Sequence, residues 1–196
     1  METSHESQRV DASWDRIAAW LRRHVPEAAA QLGPPAAESE LAEAESAVGR
    51  PLPADLTAWW RRSCGMTGAP LVELVPLFTP FSIEAALECR NSLLRICGGD
   101  GTDSADLAGT PAWDWHAAWL PIAYDGGGWY LFCDLRPGPM SGCVTRWMRE
   151  DAALHGPEWE SVGAMLADAA ASMDRGIASN DWRAQVDEDG GLTWEP

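Results

Sequence analysis

The chain has 196 residues, 46% of them apolar, with 30 acidic side chains against 14 basic ones and a formal charge of −16. That length suits one domain able to bury its own core, and the negative charge repels phosphate backbones, which argues against nucleic acid as a direct partner and for a basic protein. The five cysteines are odd in number with no C-x-x-C pair, the first residues are polar, and no run of about eighteen apolar residues occurs, so the expectation is a cytoplasmic protein with no disulfide, leader or membrane span.

In chain order, residues 1–11 read as a disordered lead-in. A first helix is expected over 12–25, where Trp14, Ile17, Ala18, Leu21 and Val25 recur at helical spacing. Pro26 and then Gly33-Pro34-Pro35 interrupt it. A second helix, 38–48, carries Leu41, Ala44, Glu45 and Val48 on one side, opens with acidic residues and stops at Gly49, a residue suited to a left-handed C-terminal cap. A third starts at Pro53, contains Leu56, Trp59 and Trp60, and ends by Gly65. Residues 71–81 are apolar but broken by Pro76 and Pro80, which predicts an edge strand or two short pieces. Ser82 caps a helix over 83–97, and 98–110, rich in Gly, Asp, Ser and Thr, reads as a mobile loop.

Three strands are then predicted, over 119–124, 129–135 and 142–147. The turns between them, Asp125-Gly126-Gly127-Gly128 and Arg136-Pro137-Gly138-Pro139, are short. Short turns join only antiparallel neighbours, so this is a meander. A last helix covers 161–175 and stops at Gly176. The tail, 181–196, is a candidate hairpin across Asp189-Gly190-Gly191. The sum is an α+β fold, with one domain over 12–180.

The sequence offers little for catalysis. The glycine run at 126–128 lacks the Gly-Lys-Ser/Thr and the following helix of a phosphate loop, so it reads as a turn in which Asp125 bonds its own backbone. Asp125 and Asp134 bracket one strand and would lie ~30 Å apart, too far to share a metal or a hydrolytic water. His5, His24, His116 and His155 are scattered, with no H-E-x-x-H and no Cys/His quartet. No G-x-S-x-G elbow occurs. No catalytic, cofactor-binding or metal-ligating residue is therefore assigned. Twelve tryptophans are hard to hide completely, and exposed Trp is enriched at interfaces. The expected partner-binding residues are Trp113, Trp115, Asp125, Trp129 and Asp134; alternatively, Trp113 and Trp115 cover the core as a lid, and Asp134 satisfies turn amides at its strand end.

The order of motifs resembles the SUKH superfamily, whose fungal namesake is the Smi/Knr-type regulator of cell-wall assembly. The resemblance is carried by Pro35-Ala36-Ala37-Glu38-Ser39-Glu40-Leu41 with Glu45 and Gly49, by Leu52-Pro53-Ala54-Asp55-Leu56, and by Cys64-Gly65. It continues in the run from Trp119 to Asp134-Leu135, in Gly142-Cys143-Val144, and in a closing helix that begins Ser161-Val162-Gly163-Ala164-Met165-Leu166. Three positions depart from the pattern: Ala37 stands for a capping Ser, Cys64 for Asn and Met165 for Trp. The resemblance implies a mostly antiparallel sheet surrounded by helices and no catalytic chemistry. It implies an immunity protein that neutralises a polymorphic toxin, often a nuclease, or alternatively a regulatory domain that binds a protein or small ligand with no toxin.

Overall fold

A computed structural model describes residues 2–68, 72–98, 107–153 and 156–196. The expected mobile loop therefore lies largely outside the described residues.

The first helix, α1, spans Glu2–His24, so the expected disordered lead-in is helical. The physical reason is one more turn of the apolar stripe. Val10 is fully buried and lies in register with Trp14, Ile17 and Leu21. Once that stripe is packed, adding polar residues at the open end costs little, because nucleation has already been met. α1 packs mainly against two later helices, α4 (Ala54–Arg62) and α6 (Val162–Arg175). Pro26 begins a short helix rather than only ending one: α2, Pro26–Ala30, has the proline in its first turn, where no donor is lost.

The next helix, α3, spans Glu38–Val48 as expected, and Gly49 closes it at φ 68°. Its N-cap, Ala37, has no side chain to give, but Glu40 reaches back and its Oε2 accepts the Ala37 N–H at 2.7 Å. In α4 the proline sits at the N-cap, one residue before the expected position. Asp55 is buried there, and its Oδ2 accepts the Gly163 N–H at 2.8 Å, tying the start of α4 to the start of α6.

The proline-broken segment shortens to one edge strand, β1 (Thr79–Pro80), after a tight turn in which Val75 and Phe78 exchange backbone hydrogen bonds. Ser82 caps α5 (Ile83–Cys97) by accepting the Ala85 N–H at 3.2 Å. The meander follows as β2 (Trp119–Tyr124), β3 (Tyr130–Asp134) and β4 (Cys143–Trp147). The sheet order is β1-β2-β3-β4, all antiparallel, with Trp119 opposite Asp134 and Tyr130 opposite Trp147. Pro121 lies in an inner strand, which is tolerated because the register shifts there between Pro121 and Ala123.

Both faces of the sheet are covered. Leu120, Ile122, Leu131, Cys133 and Val144 join the large core formed with α1, α4 and α6. Trp119, Phe132 and Trp147 belong to a second cluster, packed against Leu93 and the partly buried Cys89 and Cys97 of α5. Ser161 caps α6 and Gly176 ends it at φ 61°. The tail is the expected hairpin, β5 (Arg183–Val186) with β6 (Leu192–Glu195). It is tied down by Trp194, whose Nε1–H donates to the Glu73 carbonyl at 2.7 Å.

Candidate protein-binding surface

The segment between α5 and β2 carries the tryptophans expected to face a partner, and the fold separates them. Trp115 is 1% exposed, whereas Trp113 is 67% exposed. The Trp115 N–H donates to the Cys97 carbonyl at 2.7 Å, which draws that residue under the end of α5. Its ring meets those of Trp119, Phe132, Trp147 and Tyr130 edge-on, at centroid distances of 5.3–6.3 Å. That is the favoured geometry for aromatic quadrupoles. Trp115 is a core residue, which corrects the expectation of a binding role. The backbone bends at Trp113-Asp114, so the alternation of an extended strand does not apply. Trp113 points out while its own carbonyl accepts the Trp147 Nε1–H at 3.1 Å.

Asp134 is the second correction. It is completely buried, and its side chain faces that of Arg136, each 1% exposed. Asp134 Oδ2 accepts the Arg136 Nη2–H at 2.8 Å and the Gly109 N–H at 3.0 Å, while Oδ1 accepts the Arg136 backbone N–H at 3.0 Å. The same Nη2 donates to the Thr110 carbonyl at 2.8 Å, and the guanidinium stands 5.2 Å from the centre of the Trp119 ring. A buried carboxylate needs this many donors to offset its lost hydration. The pair clamps residues 109–110 to the end of β3, and those residues lead into Trp113. By sequence Arg136 is only a turn residue, and the signal for its role, an Asp-x-Arg at a strand end, is too short to stand out.

Asp125 lies at the other end of β3 and shares no site with Asp134. Its Oδ1 accepts the N–H groups of Gly127 at 2.7 Å and Trp129 at 2.9 Å, the self-bonded turn the sequence predicts. Gly126 and Gly128 adopt φ of 77° and 112° there, a conformation only glycine takes without strain. Trp129 is half-buried, with the Arg146 guanidinium 5.3 Å from its ring centre. Burial, and then the negative charge of Asp125, raise the Glu73 carboxyl above its ordinary value.

Acidic groups also line a groove of about 400 Å³ between α3 and α5, where Glu40, Glu43, Glu84 and Glu88 meet without a basic residue among the lining side chains. Burial disfavours the thiolate form of three cysteines. It pushes the Cys89 thiol up to about 12 and Cys143 to about 11, and holds Cys133 well above the ordinary thiol value. His116 is half-buried, and its Nδ1 accepts the Ala118 N–H at 2.9 Å. Trp20 packs against His24 with ring centres 4.9 Å apart. The side chains of His5 and His155 lie outside the described residues. Among the described residues, no three His, Cys, Asp or Glu side chains are grouped to hold a metal, and no helix is long and apolar enough to cross a membrane.

Two comparisons bear on this arrangement. Among curated proteins no sequence matches the chain. The family model of the SMI1 / KNR4 family (SUKH-1) matches residues 35–168. That stretch runs from just before α3 into α6 and takes in the whole four-stranded sheet, both of its faces and the Asp134–Arg136 clamp. With most of its length matched and the α+β meander in place, the chain belongs to the SMI1 / KNR4 (SUKH-1) family, whose domains are in general non-catalytic immunity or regulatory modules that bind protein partners.

Proposed function

We propose that this protein is an immunity protein that neutralises a basic, nuclease-type toxin in the cytoplasm by docking it on the surface around Trp113. One observation carries the reading. A tryptophan 67% exposed stands on a segment whose base is clamped by a buried ion pair. Such a ring loses little conformational freedom on binding, and a few rigid aromatic anchors dominate most interfaces. The charge of −16 supports the choice of partner, because a nuclease carries a positive surface for its own substrate. Trp129 and the Asp125 turn lie at the far end of β3 and belong to a different patch.

The test is a pull-down from the native host with wild-type protein and Trp113→Ala, followed by growth rescue and dissociation rates with the captured protein. A basic toxin is expected, with dissociation at least tenfold faster for the variant, as for an interface hot spot. An acidic partner, or equal dissociation rates, overturns the proposal. Capture of a signalling protein, with no toxin and no growth rescue, assigns the regulatory role instead.

A further inference from the structure

A separate cavity of about 220 Å³ opens where the sheet meets the C-terminal segment, away from Trp113. Leu131 and Trp159 are buried in its wall. Two tight turns complete it. In one, Val75 and Phe78 exchange backbone hydrogen bonds across Pro76-Leu77, and in the other Ser179 and Trp182 do so across Asn180-Asp181. Leu77, Asn180 and Asp181 have φ of 66°, 50° and 71°. They are three of the four non-glycine residues with positive φ among the described residues. Asn and Asp tolerate that region, but leucine does not, and the second position of a Pro-X turn of this kind ordinarily carries glycine. A strained leucine held at the lip of a cavity points to a use for its side chain.

The lining suggests what that use is. Trp159, Trp182 and Phe78 supply aromatic surface, and of the two carboxylates exposed Asp181 is the open acceptor, because Glu158 is already held by the Asn180 amide and by the single lining cation, Arg146. That cation is already engaged: its Nε lies 2.9 Å from Glu158 Oε1, and its guanidinium covers the Trp129 ring at 5.3 Å. The protein's own Arg146 thus displays, at the cavity edge, the combination of an aromatic face and a carboxylate that holds a cation. The volume exceeds the ~150 Å³ that takes up a benzene ring but is below the ~300 Å³ at which small-molecule pockets begin, so it fits one side chain.

We propose that this cavity receives a single lysine or arginine side chain of the protein partner, a second anchor in addition to Trp113 and separate from it. The idea rests on the protein-binding reading above, but the cavity can be tested without the partner. The full chain is titrated with N-acetyl-arginine amide and N-acetyl-lysine amide, with the norleucine and glutamate amides as controls. The tryptophan indole N–H signals are followed by NMR. Saturable shifts at Trp159 and Trp182 are expected for the cationic amides alone. The affinity should fall about tenfold in Asp181→Asn and in Leu77→Gly. Leu77→Gly relieves the backbone, so its Tm should hold or rise while binding is lost. Trp113→Ala should leave amide binding unchanged, which separates failure of this site from failure of the Trp113 surface. No saturable shift, an equal response to the norleucine amide, or undiminished affinity in both cavity variants overturns the proposal.

Discussion

Trp113 and Trp115 are two residues apart, yet one side chain is mostly in solvent and the other is ringed by four aromatic side chains. The difference sets opposite expectations for stability. Trp115→Ala should cost about 3–5 kcal/mol, a drop in Tm of about 10 °C, while Trp113→Ala should stay within about 0.5 kcal/mol. Urea and thermal unfolding read both. Only the second variant can therefore report on binding. The Asp134–Arg136 pair behaves differently from either. Removing one partner strands a buried charge, so Asp134→Ala should cost about 3–5 kcal/mol. Replacing both, as Asp134→Leu with Arg136→Met, should recover much of that loss, because two desolvated charges go together. A double-mutant cycle by urea unfolding measures the recovery, and a double variant no more stable than Asp134→Ala would contradict it.

The helices of this fold begin and end where local chemistry tells them to. Ser82 and Ser161 each accept an N–H from the first turn of their helix, at 3.2 and 3.1 Å, and Gly49 and Gly176 close α3 and α6 in the left-handed conformation. Each hydroxyl cap is worth about 1 kcal/mol, so Ser161→Ala should lower stability by that amount in thermal unfolding. Ala37 is the deficient cap. With Glu40 already in place, Ala37→Ser completes the reciprocal pair and should add about 0.5–1 kcal/mol. These boundaries were readable in the sequence because each rests on contacts within four residues. Other elements were not. The lead-in became helix because Val10 finds a core that no local pattern announces, and Pro26 starts α2 because the chain must turn between α1 and the segment paired with Gly65. The apolar run before α5 shrank to a two-residue strand, since its two prolines remove ladder donors.

At the scale of the whole molecule, charge governs encounter and shape governs retention. With −16 spread over 196 residues, association with a basic partner should slow about tenfold between roughly 0.05 and 0.5 M salt, as the screening length shrinks to a few Å. Dissociation should change far less, because the anchors are desolvated. Stopped-flow mixing across a salt series separates the two, and an association rate indifferent to salt would remove the electrostatic half of the proposal. The family, the meander, the order of the helices other than α2 and the sign of the charge were all determined by the sequence alone, because motifs, turn residues and composition are properties of short stretches or of sums. Tertiary structure decided which tryptophan faces out, that Asp134 is a clamp and not a contact, and that two tight turns about a hundred residues apart share one cavity. Those outcomes depend on contacts such as Gly109 with Asp134, Trp147 with Trp113 and Trp194 with Glu73, 25, 34 and 121 residues apart. Burial is settled by what the distant chain brings to a side chain, which no local periodicity encodes.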